Sequence, residues 1–351
     1  MIPSVLIRVD ATKDIALGHL KRCISLALKF REKGVPVAFL TSKDNFAENL
    51  IHDLKFEHSM IDSHVNSDDD CSMTVETANK SGAGILIIDS YEIDHVYRKR
   101  LIDNGLFVVS IDDNADKHIP SHVIINGNLK AEHLKYVNSD SASLYLGIGY
   151  LILGPDFWNL NDIIDTGSFD NVLITMGGID HYDLTSKILR ILDRIDADFG
   201  ITTIIGPYYE NLDLIQSQVE KMVKKVDLVK SPSSLYHYMK RCSMAFSAGG
   251  QTLYELAALG CPTMGITIWE NQAGNVVELS KMGAIRGIGY SDDRAFHDAL
   301  EENSLKIILD KDERRRLSRA ASILVDGKGA ERSCNAILET HNKWLMTKEK
   351  R

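Results

Sequence analysis

Short, nearly unbroken apolar runs alternate along the chain with longer stretches whose apolar positions recur every three to four residues. The runs at 5–9, 35–40, 84–89, 107–112 and 123–126, with a shorter one at 144–148, are rich in Val, Ile, Leu and Phe. Strands covered on both faces read this way. The stretches between them have a helical period. Residues 18–33 place Leu20, Cys23, Ile24, Ala27, Leu28 and Phe30 on one face, and 44–54 and 94–104 follow suit. Strand–helix–strand alternation predicts βαβ units and a parallel sheet with helices on both sides.

The rhythm breaks at Gly154-Pro155-Asp156-Phe157-Trp158 and the polar stretch 161–168, then restarts. Strands are predicted at 172–175, 201–205, 226–229, 244–246 and 263–265. Helices are predicted at 182–195, 212–223, 235–240, 252–259 and 272–282, with a helical tail over 293–348. Phe157 and Trp158 are read as packing the linker. The fold class is therefore α/β, with two Rossmann-like domains facing a cleft, at 1–157 and 168–325, and a tail at 326–351.

A length of 351 residues fits two domains, and 44% apolar with 25% charged residues fits a globular chain. The net charge is −9, split as −5 over residues 1–150 and −4 over the remainder. Such an acidic chain is a poor general ligand for nucleic acid. The five cysteines, Cys23, Cys71, Cys242, Cys261 and Cys334, form no CxxC spacing. They are read as buried free thiols rather than a disulfide framework or zinc site. No basic segment with a long apolar core precedes the first strand, and no apolar run reaches the ~18 residues of a membrane span. A cytoplasmic protein without membrane insertion, monomeric or weakly self-associating, is the expectation.

Chemistry-bearing residues cluster where strands run into helices. After the first strand come Arg8, Asp10 and Ala11, then Gly18-His19-Leu20-Lys21-Arg22. Gly18 allows close backbone approach, and a helix start favours anions and the neutral imidazole that a general base must be. His19 is the candidate base; the alternative is a histidine that merely hydrogen-bonds its own turn. Ser247-Ala248-Gly249-Gly250-Gln251-Thr252 opens another helix with Glu255 one turn in, a backbone cradle suited to a pyrophosphate with a carboxylate for ribose hydroxyls, or simply a packing turn. GxGxxG and GxxxxGK[ST] are absent. Gly177-Gly178 lies where the cleft should open, or belongs to an ordinary βα turn with Asp180 as helix N-cap. Glu270-Asn271-Gln272 offers amides to a sugar or phosphate, or caps its helix. Asp89, Ser90 and Tyr91, with Asn126 and Asn128, end neighbouring strands and could line a sugar pocket. Asp112-Asp113 ends a strand and could be a metal or acid/base pair, though adjacent acids there more often make a turn, and Asp68-Asp69-Asp70 reads as a solvated loop. No metal site is assigned.

Taken in order, Arg8-x-Asp10-Ala11, Gly18-His19-x-x-Arg22, Met176-Gly177-Gly178-x-Asp180, Ser247-Ala248-Gly249 and Asn271-Gln272 resemble the UDP-sugar hydrolase family of the pseudaminic acid pathway. That family is itself similar to the GT-B glycosyltransferase that makes lipid II. The resemblance runs from about Val5 to Gly289, with departures at Ser90, where some relatives carry His, and at Gly154, where many carry Arg. It implies hydrolysis of UDP-2,4-diacetamido-2,4,6-trideoxy-β-L-altropyranose to UDP and free sugar, with inversion and without a metal or cofactor. His19 would be the general base. Asp10, Gly18, Arg22, Tyr91, Asn126, Asn128, Asn271 and Gln272 would meet the sugar. Gly177, Gly178, Ser247, Ala248, Gly249, Gly250, Gln251, Thr252 and Glu255 would meet the nucleotide. The tail near 326–342 would cross back to the first domain.

Three readings stay open: a hydrolase, a glycosyltransferase in which His19 activates an acceptor hydroxyl, and a non-enzymatic sugar-nucleotide binder. In the first, backbone amides near Ala248–Thr252, helix starts, and Arg8 and Arg22 are expected to supply positive potential for the diphosphate.

Overall fold

The computed structural model describes residues 3–10, 17–137, 141–160, 169–293 and 295–348, with the backbone alone at Leu17, Phe46 and Asn271. Ala11 and the polar stretch 161–168 lie outside the described residues. The chain divides into two compact units, Met1–Trp158 with Gly327–Arg351, and Asn159–Asp326.

The first unit runs β1 (Ser4–Val9), α1 (Leu17–Glu32), β2 (Val37–Ser42), α2 (Asn45–Asp53), β3 (Glu57–Ile61), α3 (Asp68–Lys80), β4 (Ala83–Asp89), α4 (His95–Asp103), β5 (Phe107–Ile111), β6 (Val123–Asn126) and β7 (Ser143–Leu146). All seven strands are parallel, in the order β3-β2-β1-β4-β5-β6-β7. One face packs Val5, Ile7, Ile85 and Phe107 on Leu20, Cys23, Ala27 and Phe30 of α1. The other packs Leu6, Leu86 and Ile88 on Cys71 and Ala78 of α3 and Tyr97 and Leu101 of α4. Each such large side chain contributes about 1.5–3 kcal/mol by leaving water.

The second unit runs β8 (Asn171–Thr175), α5 (Leu184–Asp193), β9 (Gly200–Ile205), α6 (Leu212–Val219), β10 (Val226–Lys230), α7 (Tyr236–Arg241), β11 (Met244–Ala248), α8 (Thr252–Ala258), β12 (Thr263–Thr267), α9 (Glu270–Lys281), β13 (Arg286–Tyr290), α10 (Phe296–Leu309) and α11 (Lys311–Leu324). Its six parallel strands follow β10-β9-β8-β11-β12-β13. The last helix, α12 (Gly329–Lys348), returns to the first unit, where Ala330, Cys334 and Ile337 enter the core beside α1. Its start fits only as glycine, because a Cβ on Gly329 would collide with the Leu151 carbonyl oxygen.

Three local readings are corrected. β3 and β13 lack the apolar runs that marked the other strands. β3 leaves Glu57, Ser59 and Met60 exposed at a sheet edge, and β13 carries two glycines. Asp68-Asp69-Asp70 is not a loop but the first turn of α3, where Ser67 caps by accepting the Asp70 N–H. Asp68 and Asp69 face water while Asp70 is fully buried.

Candidate functional site

In each sheet the strand order reverses once, between β1 and β4 in the first unit and between β8 and β11 in the second. Connections leave such a point on opposite faces and open a crevice at the carboxyl ends, where doubly wound sheets bind ligands. Both principal sequence clusters fall there: His19 after β1, and the Ser247–Gln251 turn after β11.

His19 is the third residue of α1 and is 5% exposed. Its Nδ1 lies 3.0 Å from Asp89 Oδ1, at the end of β4, though off the line along which an Nδ1–H would point. The Tyr91 ring meets the imidazole edge-on at 4.6 Å. Asp89 is wholly buried and bound by Arg22 in a fork, Nε to Oδ2 and Nη2 to Oδ1, each at 2.6 Å. Burial alone would push this carboxyl up. Arg22 and His19 outweigh it and hold Asp89 well below the usual carboxylate range. Arg22 reaches on to Asp113 through Nη1, at 3.0 and 2.9 Å. Burial opposes its charge too, but Asp113 and Asp89 raise the guanidinium pKa further.

Asp113 also accepts the Tyr91 hydroxyl at 2.6 Å and the Asn128 amide at 3.2 Å. Burial, then Asp113, push the Tyr91 hydroxyl above its ordinary range, so it stays a donor. Asn126 donates to Tyr136 Oη, which donates to Asp112; Asp112 also accepts the Asn114 and Ala115 amides and so builds the turn. One connected network thus gathers His19, Arg22 and Tyr91 with Asn128, and it extends to Asn126, whose Oδ1 accepts the Asn128 backbone N–H at 3.0 Å. Gly18 opens the same helix start. Asp89 as partner of His19, and Asp113 as the hub beside it, were not legible in the sequence, because Arg22 is 67 and 91 residues from them.

Arg8 does not serve the diphosphate role expected of it. The side chain is fully buried, bonded to Asp10 at 2.7 Å and forked onto Asp70 at 3.2 and 3.1 Å, with Tyr97 completing the group. Asp10 in turn directs one carboxylate oxygen to Arg8, and its backbone N–H reaches Asp89 O at 3.4 Å. Arg22 is likewise engaged by two carboxylates.

In the second unit Gly177 has φ 85°, and Gly178 precedes Asp180, whose carboxylate accepts the Leu184 and Thr185 amides and so caps α5. A Cβ on Gly249 would press within 2.8 Å of Gln272 and Val276, so this glycine lets α9 pack against the turn. Asn275 Nδ2 holds Gly249 O, and Tyr254 Oη holds Asn275. Gly250 faces open space. Ser247 is buried, its hydroxyl directed to Ala248 O. Gln272 Oε1 accepts the Ile268 N–H. Gln251, Thr252 and Glu255 are partly exposed around the start of α8. The Asn271 side chain lies outside the described residues. Among the described residues, no group of three or more His, Cys, Asp or Glu is placed to hold a metal ion, and no helix is long and apolar enough to cross a membrane.

No family model matches the sequence. Among curated proteins it is similar to the uncharacterized protein MJ1062 of Methanocaldococcus jannaschii, 24% identical over 279 residues, 76% of this chain and 56% of that one. The spore coat polysaccharide biosynthesis protein SpsG of Bacillus subtilis is 23% identical over 335 residues, covering 94% and 96%. The pseudaminic acid cytidylyltransferase and UDP-2,4-diacetamido-2,4,6-trideoxy-β-L-altropyranose hydrolase of Helicobacter pylori is 26% identical over 287 residues, 80% and 48%. The chain thus spans about half the length of the first and third of these relatives. Among solved structures, MurG of Acinetobacter baumannii superposes with a TM-score of 0.74 at 12% identity over 96% and 100% of the two chains. Anabaena HepE in complex with UDP-glucose superposes at 0.62, with 11% identity over 97% and 99%. The resemblance to the hydrolase stands, and the fold is of the GT-B glycosyltransferase type.

Proposed function

We propose that this protein is an enzyme of glycan biosynthesis acting on a nucleotide sugar, and that it hydrolyses a UDP-linked amino-deoxy sugar at the anomeric carbon. The observation that carries this reading is the buried His19–Asp89 pair at the strand reversal of the first unit. Asp89 faces Nδ1, which leaves Nε2 for a water molecule. Nε2 takes the proton as the water oxygen bonds to the anomeric carbon, and the bond from that carbon to the diphosphate oxygen breaks. UDP leaves with the electron pair, and the sugar carries an inverted hydroxyl. Ionised Asp89 stabilises the imidazolium that forms, as a buried carboxylate does beside a base. Asp113, Tyr91 and Asn128 offer the sugar a hydrogen-bonding wall. Backbone amides at Gly249–Thr252 and Gly177–Gly178 meet the diphosphate as preorganised donors. The similarity to the H. pylori protein supports hydrolysis, and that to SpsG supports a place in polysaccharide synthesis.

The fold likeness to MurG favours a second reading, transfer of the sugar to an acceptor hydroxyl activated by the same base. Incubation with a panel of UDP-sugars in ¹⁸O-labelled water, without acceptor, separates the two. UDP release with the label on the sugar supports hydrolysis; no release from any sugar overturns it. His19→Asn is expected to lower kcat by about 10²–10⁴-fold with UDP still bound. Unchanged turnover removes His19 as the base.

A further inference from the structure

Three aromatic side chains of the second unit lie together on its surface, outside the residues assigned above. Trp269 precedes α9 and is 51% exposed, beside exposed His181 and half-buried Tyr182 from the β8–α5 connection. Ring centroids are 5.6 Å apart for His181 and Trp269, 6.3 Å for Tyr182 and Trp269, and 5.3 Å for the edge-on pair His181 and Tyr182.

Their strands are not neighbours. β8 and β12 each pair with β11, which lies between them. At about 4.8 Å per strand step, the two are roughly 10 Å apart. His181 and Tyr182 follow β8 by six and seven residues and Trp269 follows β12 by two, so the connections bring the rings together on the carboxyl-end side of the sheet, the side on which β11 ends. That end carries the Ser247–Gln251 turn. Trp269 is also tied to the turn's wall, since its carbonyl accepts the Gln272 N–H and Gln272 packs on Gly249. Lone exposed apolar residues are ordinary, but three rings in mutual contact at the sheet end that carries the glycine turn form an apolar platform.

We propose that Trp269, steadied by His181 and Tyr182, is a specificity-determining residue that packs against the apolar face of the sugar carried on a nucleoside diphosphate. The inference rests on the nucleotide-sugar reading above. The turn amides hold the charged diphosphate, whereas the indole meets ring C–H and methyl groups. Deoxygenated, N-acetylated sugars gain most from it, because each hydroxyl replaced by hydrogen or methyl widens the apolar face.

Binding rather than turnover tests this, so the outcome does not depend on whether the chemistry is hydrolysis or transfer. Wild type, Trp269→Ala and Trp269→Phe are titrated calorimetrically with UDP, UDP-glucose and UDP-N-acetylglucosamine. Trp269→Ala is expected to weaken UDP-N-acetylglucosamine about tenfold and UDP less than twofold, and to narrow the gap between the two sugars. Trp269→Phe is expected to keep most of the affinity. Because the residue is exposed, neither variant should disturb folding, and unfolding midpoints check this. Wild-type-like sugar affinity in Trp269→Ala, or equal losses for UDP and UDP-sugar, overturns the proposal alone. Failure of the wild type to bind UDP overturns the nucleotide reading and this inference with it.

Discussion

Asp89 shows how much one side chain can be asked to do. Its two oxygens answer three groups, His19, the Arg22 fork and the Cys23 thiol at 3.4 Å. Asp89→Asn keeps the shape but removes the charge that would steady an imidazolium. A fall in kcat of about 10²-fold or more is expected, together with about 3 kcal/mol of lost stability as the buried Arg22 loses a partner. Steady-state kinetics and urea unfolding read the two effects separately. His19→Asn should show the first without the second, which distinguishes a base from a structural ion pair. Unchanged kcat in Asp89→Asn assigns the carboxylate to folding alone.

At the level of elements, most of the architecture was legible because strands covered on both faces must be apolar throughout. β1, β4, β5 and β8 announce themselves this way, and α1 by its period. β3 and β13 do not, since strands near a sheet edge need no such run. Asp70 was misread for a related reason. Three consecutive acids look solvated, yet the helical period turns the third inward, toward an arginine 62 residues away. His19, Gly249 and Gln272 could be singled out from local sequence, whereas their partners depend on which strands lie side by side. Gly329 gives a test at this scale. Gly329→Ala should press its new methyl onto the Leu151 carbonyl and loosen the docking of α12, costing about 1–3 kcal/mol. Hydrogen exchange should report the loss in α1 and α12 and spare β8–β13. Wild-type protection throughout would show that the backbone shifts without penalty.

Across the whole molecule, the acidic total conceals an uneven use of charge. Arg8 and Arg22 are matched by carboxylates inside the first unit, so a diphosphate would depend on amides more than on arginines. A second whole-molecule property is sensitivity to acid. His122 stacks on Phe107 at 4.7 Å, and His341 and Trp344 of α12 pack around the same ring. Burial, with Lys348 nearby, lowers His122 from an ordinary value of 6.5 to about 4, and burial lowers His341 as well. Between pH 6.5 and about 4 the unfolded chain therefore binds more protons than the folded one, and stability falls as pH falls through that window. Urea midpoints at pH 7.5, 5.5 and 4.5 should decline, and His122→Gln should flatten the slope. A mutant slope equal to the wild type's would show that carboxylates elsewhere govern the loss.

The return of α12 also dictates an order of events during synthesis. On the ribosome, the segment up to Trp158 emerges long before Ala330, Cys334 and Ile337, which fill one face of its core. The second unit, contiguous from Asn159 to Asp326, has its full complement of residues first. Of the two units, the one begun first is thus the one completed last, and His19 sits in a scaffold whose core waits for α12.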